Sequence, residues 1–421
     1  MEINDNKNSY NIINCNEFEV IENGTITSVP NVLTSSCHCG IRKFKDDISV
    51  ILIPGNTTCS GVFTKNKFAA APVVITQQQL AKSRNINAIV VNSGIANACT
   101  GEIGLENAKK TIEIAAKYLN LKPENIIVSS TGRIGKQLPL DKIDKGIYFC
   151  SKNLSSENGH RTAKAILTID KHPKEFALKF NLSGEEIFIG GIAKGSVMIE
   201  PNMATTLAFI ATNIKIEYFL LDQILKEAVE YTFNSITTDG CQSTNDMVIV
   251  IANNQSVLEV KKDNLKIFEY FKSGLVKCLE SLSKKVVEDA EGATKFIEIN
   301  VLGAKSFYQA RQVGKKVANS ILFKTAMYGE DVNWGRIAAA VGSYEENDLN
   351  VNNIDIFLED IPLMKNGVVA DFNEDKANEV LKKRNICFTI NLNIGSSYSK
   401  ILTSDISYEY IKINALYKKQ K

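Results

Sequence analysis

The chain has 421 residues, 44% of them hydrophobic and 23% charged, which is the balance of an ordinary globular protein with room for about two or three domains. Its 49 Lys and Arg against 47 Asp and Glu leave a net charge of only +2, so nothing calls for nucleic acid or an anionic membrane. Only 8 Pro and 25 Gly exclude a collagen-like or disordered chain, and no apolar run approaches the roughly 18 residues of a membrane span.

Met1–Asp5 is polar and acidic, unlike a signal or transit peptide. Nine cysteines, an odd number scattered through a long chain, argue against a disulfide framework and for reducing cytoplasm. Residues 1–35 are Asn-rich with little periodicity. They read as a loose N-terminal extension whose end is a candidate for strand pairing.

From there strand and helix signals alternate. Ile48–Pro54 and Ala88–Asn92 are short apolar runs, with a short helix at Gln77–Arg84 between them. Glu106–Asn120 repeats apolar residues at helical spacing. Asn125–Ser130 is strand-like and runs into a turn at Ser130-Thr131-Gly132. Ser156–Ile169 holds a helix. Phe176–Ile189 alternates as a hairpin turning at Ser183-Gly184. Thr205–Thr212 and Met247–Ala252 are nearly all apolar and read as buried strands. Ile216–Phe233 and Asn264–Ala290 are helical patterns. A strand at Phe296–Leu302 precedes a helix at Ala310–Asn319, and Ile386–Ile394 and Tyr408–Tyr417 close the chain as strand candidates. The class is α+β or α/β, and pattern alone leaves the strand order open.

The three histidines, His38, His160 and His172, lack nucleophile-elbow context and read as surface residues. Cys37-His38-Cys39 has no second cluster to complete a zinc site and reads as ordinary loop or strand. Gly132–Lys136 and Lys194-Gly195-Ser196 are fragments of a phosphate loop without its full spacing, so tight turns explain them better. Glu330-Asp331 reads as loop charge or as support for a site. Asp239 and Asp246, with Ser243-Thr244-Asn245 before a strand, read as turn chemistry rather than metal ligands. Lys418-Lys419 with Lys421 reads as a solvated tail.

Gly190–Asn213 is the informative segment. A Gly-rich polar stretch feeds Pro201-Asn202-Met203-Ala204, then Thr205-Thr206, then a buried strand. A threonine at the start of an interior strand makes sense if Thr205 becomes a new N-terminus. Its hydroxyl would attack the Ala204 carbonyl, and water would split the resulting ester. The freed α-amine, with an unperturbed pKa of about 7.7–8.0, serves as general base for its own hydroxyl without any histidine. Locally, a Thr-rich strand edge explains the same residues more simply.

The segment closely resembles the self-processing site of the ornithine acetyltransferase (glutamate N-acetyltransferase) family of arginine biosynthesis. Matching stretches run through nearly all of the chain after about residue 36. They include Ser60–Thr64, Ala70–Val73, Val91–Gly94, Ala96–Gly101, Ser130–Gly132, Ile166–Asp170, Gly191–Ser196, Pro201–Thr205, Ser243–Asp246, Glu291–Lys295 and Asn333–Ile337. The resemblance implies a layered α/β/β/α-like (DmpA/ArgJ-like) α+β fold with a self-cleaved central strand. It implies an α chain of 36–204 after the 1–35 extension, and a β chain of 205–421.

Residue by residue, Thr205 matches the nucleophile, Ala204 and Thr205 the cleavage site, and Thr131 and Gly132 the oxyanion-stabilising pair. Thr168, Lys194, Glu291 and Asn414 match substrate-binding positions. The implied cycle is ping-pong, from N²-acetylornithine through acetyl-Thr205 to glutamate. Some members also use acetyl-CoA as donor. The implied assembly is an α2β2 heterotetramer, without metal or bound cofactor.

Several positions depart from the family pattern. Ile95 stands where Asn is usual, Arg133 where a small apolar residue is, Val197 for Gly, Cys241 for Asp and Val332 for Pro. Leu416 replaces Asp, and Lys419 falls where a last hydroxyl contact belongs. These changes bear on the substrate more than on the nucleophile. Three further readings therefore stay open: a paralogue moving another acyl group in specialised metabolism, an N-terminal-nucleophile amidase, and a non-catalytic protein that keeps the fold.

Overall fold

Alternate residues along the strand Ala88–Ile95 enter different cores: Ile89 and Val91 face one, Ala88 and Val90 the other. A strand apolar on both faces has to be covered on both. The computed structural model, which describes residues 17–200, 206–346 and 348–416, shows how. The strand lies in a four-stranded sheet ordered Leu33–Cys37, Ile48–Leu52, Ala88–Ile95, Ile126–Arg133, the last two parallel. Helices Gly101–Leu119 and Leu140–Lys152 cover its outer face through Ala108, Ile112, Ile143 and Ile147.

Against its inner face lies a six-stranded sheet. The order is Glu19–Val20, Lys174–Leu182, Glu185–Lys194, Leu207–Thr212, Met247–Ala252, Thr58–Phe63. Phe209, Ile249 and Ile251 meet Ile51, Ile89 and Ile127 between the sheets. The other face, with Ala208, Ile210, Val248 and Val250, packs under helices Tyr218–Tyr231 and Leu265–Glu288. The layers therefore run helix, sheet, sheet, helix, as the resemblance implies.

The C-terminal part adds a second six-stranded sheet, ordered Val368–Val369, Ile361–Lys365, Asp355–Leu358, Asn385–Asn391, Phe296–Ala304, Ser397–Ser404. It shares a core with helices Phe307–Ala318, Ile321–Tyr328, Trp334–Gly342 and Glu374–Leu381.

Four expectations need correction. The turn expected at Ser130-Thr131-Gly132 is strand as far as Arg133, because Thr131 and Gly132 pair with Ser93 and Gly94. Tyr408–Ala415 is a helix, not a strand: the Ser407 hydroxyl accepts from the Glu409 and Tyr410 amides and caps it. The helix expected at Gln77–Arg84 already starts at Ala71, since Pro72 is tolerated in a first turn. Residues 17–35 are not loose: Val20 pairs with Leu178, and Ile26, Val29 and Val32 are buried. The expected chain boundary at 204/205 lies outside the described residues.

Candidate active site

Thr131 and Gly132 sit near the end of the Ile126–Arg133 strand, level with Ser93 and Gly94. Gly132 has φ +129°, and a Cβ there would lie 2.3 Å from the Gly94 carbonyl carbon. Only glycine permits this approach of two backbones. Lys194 ends the Glu185–Lys194 strand of the facing sheet, and its ammonium donates to the Thr131 hydroxyl at 3.3 Å. Two expected site residues from different sheets are thereby joined. The Lys194 carbonyl accepts from the Thr206 hydroxyl. Thr206 is the first described residue after the expected cut, while Ala204 and Thr205 themselves lie outside the described residues.

Asp170 joins Thr168 to this pair. Its carboxylate accepts from the Thr168 amide at 3.1 Å, the Gly195 amide at 2.6 Å and the buried Lys174 ammonium at 2.7 Å. Burial opposes its ionisation, yet the Lys194 and Lys174 ammonium groups hold the carboxyl well below the usual range. Lys174 also pairs with Asp289 at 2.5 Å, and Asp289 accepts from the Lys171 amide at 3.0 Å. From the other side, Arg42 donates to the carbonyls of Leu167 at 2.6 Å and Thr168 at 3.2 Å. The Thr168 loop is thus fixed at both ends by charge-assisted hydrogen bonds.

Glu291 and Asn414 meet directly, the Asn414 amide donating to the Glu291 carboxylate at 2.9 Å. Burial, and then the Asp239 carboxylate, raises the Glu291 pKa against the help of Asn414. The Glu291 amide donates to the Ser196 carbonyl at 2.9 Å, which ties this pair to the segment just past Lys194. Asp239 accepts from the Met198 amide at 2.7 Å and the Ile199 amide at 2.9 Å, anchoring the same segment as it approaches residue 201. Asp405 holds the backbone after Glu291, accepting from the Thr294 and Lys295 amides at 2.8 Å each. Thr131, Thr168 and Lys194 therefore form one hydrogen-bonded group, and Glu291 with Asn414 a second, both leading into the 196–200 segment. Lys419 lies outside the described residues.

Sequence reasoning did not find Asp170 as the organiser, although it closes a matched stretch. Asn245 is more than turn chemistry, because its amide is a clamp: it donates to the carbonyls of Ala96 at 2.6 Å and Ser130 at 2.8 Å, across the seam between the sheets. Asp246, beside it, is buried with its Oδ2 unpartnered, and burial raises its pKa well above the ordinary value. Glu330 accepts from the buried Lys295 ammonium at 2.7 Å, the supporting contact envisaged for that loop.

Three of the departing residues, Ile95, Arg133 and Leu416, adjoin elements that carry site residues. Arg133 is exposed, and its side chain has no partner among the described residues. Ile95 pairs across from Thr131 and Arg133, and Leu416 follows the Tyr408–Ala415 helix. The histidines lie at the surface, His160 against Glu175 and His38 against Asp47. Cys37 and Cys39 are free thiols, Cys37 facing Cys150 at 3.9 Å. Among the described residues no group of three His, Cys, Asp or Glu side chains is arranged to hold a metal ion, and no helix is long and apolar enough to cross a membrane.

Residues 33–419 match the model of the ArgJ family. The chain is 41% identical over 400 residues to the arginine biosynthesis bifunctional protein ArgJ of Bacillus cereus, covering 94% of this chain and 98% of that one. It is 41% identical over 398 residues to ArgJ of Streptococcus mutans, covering 94% and 99%. Among solved structures it is similar to the ornithine acetyltransferase of Mycobacterium tuberculosis complexed with ornithine, at 32% identity and a TM-score of 0.42 over 44% of this chain and 100% of that one. Matched over nearly its whole length, this chain belongs to the ArgJ family, and its chemistry is acetyl transfer in arginine biosynthesis.

Proposed function

We propose that the chain cuts itself between Ala204 and Thr205, and that Thr205 then carries an acetyl group from N²-acetylornithine to glutamate, making it a glutamate N-acetyltransferase. In the cut, the Thr205 hydroxyl attacks the Ala204 carbonyl. The acyl group moves from nitrogen to oxygen, and water hydrolyses the ester. A carboxylate is left at 204 and an amine at 205. In turnover, that amine takes the hydroxyl proton as the oxygen attacks the acetyl carbonyl. The tetrahedral intermediate collapses with departure of ornithine's amine. Glutamate's amine then attacks the acetyl ester and restores the hydroxyl.

The observation that carries this reading is the Lys194–Thr131 contact. It joins an expected substrate ligand to the expected oxyanion strand, next to the strand that begins at Leu207. Fixed donors beside a water-poor seam are what an acyl-transfer oxyanion needs, and losing one costs roughly 10²–10³ in rate. Glu291 suits the ammonium of an amino-acid substrate and Lys194 its carboxylate. Acetyl-CoA as a second donor, α2β2 assembly and residence in reducing cytoplasm belong to the same reading.

Intact-mass spectrometry tests it. Purified protein should appear as two chains divided before Thr205, and the fragment beginning at 205 should gain one acetyl group with N²-acetylornithine. Thr205→Ala should abolish both changes. A single uncut chain that is never acetylated would refute the proposal.

A second reading is favoured by the exposed Arg133 beside Gly132, whose side chain has no partner among the described residues. A guanidinium there suits a substrate with one more carboxylate than acetylornithine carries. A donor panel of N-acyl amino acids separates the two: a wide preference for acetylornithine excludes this one.

A further inference from the structure

Turn chemistry accounts for only one backbone contact of the Asp239 carboxylate, the Cys241 amide donating to Oδ1 at 3.1 Å. Two more come from far back in the chain. The Met198 amide donates to Oδ2 at 2.7 Å and the Ile199 amide to Oδ1 at 2.9 Å, so two successive N–H groups grip both oxygens of one carboxylate. Charge-assisted bonds of this kind are the strong ones.

The backbone they hold is an unusual one. Met198 has φ +57°, a left-handed conformation that a residue with a side chain adopts only at a cost. Ile199 beside it is fully buried, and its carbonyl accepts from the Thr238 amide at 2.7 Å. Glu200 accepts from the Asn319 side-chain amide at 2.8 Å and pairs with Lys315 at 3.4 Å. Three successive residues are thereby fixed, although none of them belongs to a helix or a strand. The sequence then runs through Pro201–Ala204 to Thr205. Beyond it, the Thr206 carbonyl accepts from the Met247 amide at 3.0 Å and its hydroxyl donates to the Lys194 carbonyl. The bond of the proposed cut therefore lies in the short stretch of chain between two fixed residues, 200 and 206. Sheet neighbours hold the second, and Asp239 holds the approach to the first.

We propose that Asp239 is a positioning residue for the self-cleavage, its carboxylate holding Met198 and Ile199 so that the Ala204 carbonyl is offered to the Thr205 hydroxyl. This rests on the cut proposed above and adds the group that prepares it. Attack within one chain is fast only when the reacting groups are held close together, so slack on the carbonyl side lowers the rate. Asp239 acts through the backbone of Met198 and Ile199 and takes no proton in the step. Asp239→Asn leaves one acceptor oxygen where two are used, and Met198 then has nothing to keep it left-handed.

Full-length protein made by cell-free synthesis, quenched at timed intervals and weighed by intact-mass spectrometry, gives the cleavage rate. Asp239→Asn should slow cleavage at least about tenfold, the worth of one charge-assisted hydrogen bond. Asp239→Glu keeps the carboxylate on a longer arm and should cleave at a rate between the two. Adding Met198→Gly to Asp239→Asn should restore part of the lost rate, because glycine takes a positive φ unaided. A carboxylate that served only the fold would show no such recovery. Melting curves in a Thr205→Ala background, where every chain stays uncut, report whether each variant is folded at the assay temperature. If Asp239→Asn is not, Asp239→Glu is compared with and without Met198→Gly, and the same recovery is expected. A parent that is never cut overturns the cleavage reading and this inference together. A parent that is cut, with a folded Asp239 variant that is cut at the same rate or gains nothing from Met198→Gly, overturns this inference alone.

Discussion

The Lys194 ammonium reaches across the seam between two sheets to the Thr131 hydroxyl, 3.3 Å away. Each residue lies at the end of a strand whose preceding residues are buried, so neither side chain is free to drift. The carbonyl of the same lysine accepts from Thr206. One residue thus ties the expected oxyanion strand to the chain just past the expected cut. Pre-organisation of this kind lets acyl transfer proceed without reorganising the site at the moment of reaction.

Replacing Lys194 with Met keeps the length of the side chain and removes its charge. Binding of the substrate carboxylate should weaken, raising KM for acetylornithine at least about tenfold, the worth of one charge-assisted hydrogen bond. Steady-state kinetics check this. An unchanged KM would place the substrate carboxylate elsewhere, with Arg133, beside Gly132, the next candidate.

Gly132→Ala attacks the backbone itself. Its Cβ would sit 2.3 Å from the Gly94 carbonyl carbon, at a φ that side chains rarely adopt, so the two strands must separate. The expected loss in kcat is about 10²–10³, with substrate binding less affected. Single-turnover acetylation followed by mass separates the two effects, and a melting curve reports any loss of folding.

Much of the layered fold was legible because its strands are apolar on both faces. Ala88–Asn92, Met247–Ala252 and the Phe176–Ile189 hairpin announce themselves by composition, alternation and the Ser183-Gly184 turn. What failed was set by tertiary partners. Thr131-Gly132 looks like a turn in isolation, and only Ser93 and Gly94 alongside make it strand. Tyr408–Ala415 alternates like a strand, and it is the Ser407 cap and the docking of Gly292 against Tyr410 that make it a helix. The site residues came from ordered family motifs, since local sequence left Thr205 ambiguous. Asp170 reaches the Gly195 amide 25 residues on, and Asn245 and Asp405 act on backbone groups more than 100 residues away, which no spacing rule reveals.

Asp170→Asn should loosen both the fold and the site. The buried Lys174 would keep only Asp289 as its ionic partner, and removing one partner of a buried pair costs on the order of 3 kcal/mol. The sign with pH follows from the lowered carboxyl. Its stabilising contribution is complete above the unfolded pKa of about 3.9 and is lost as pH falls through the lower folded value. Parent and variant should therefore differ most in urea midpoint near neutrality and converge in strong acid.

Asp246 behaves in the opposite sense. Burial raises its pKa, so the native state holds a proton that the unfolded chain gives up. Its contribution is fully present below the unfolded pKa and is lost as pH rises toward the folded one. Asp246→Asn, neutral at every pH, should approach the parent only in acid below the unfolded pKa of about 3.9 and pull ahead of it in melting temperature as pH rises above that value. Melting curves from pH 3 upward decide this, and parallel profiles would mean that the carboxyl ionises in the native state as it does in the unfolded chain.

Glu291 offers a test of substrate recognition that does not depend on folding. Burial and the nearby Asp239 raise its pKa, while the Asn414 amide partly offsets them. If the carboxylate receives the substrate ammonium, only its ionised form binds. KM for acetylornithine should then climb as pH falls through that raised pKa, beginning at a higher pH than an ordinary glutamate would set. Glu291→Gln should show a high KM with this limb absent, because the neutral amide cannot titrate. Asn414→Ala removes the hydrogen bond that favours the ionised form, so it should move the limb to still higher pH. A purely structural Glu291 would give the same pH profile in all three proteins, displaced only in stability.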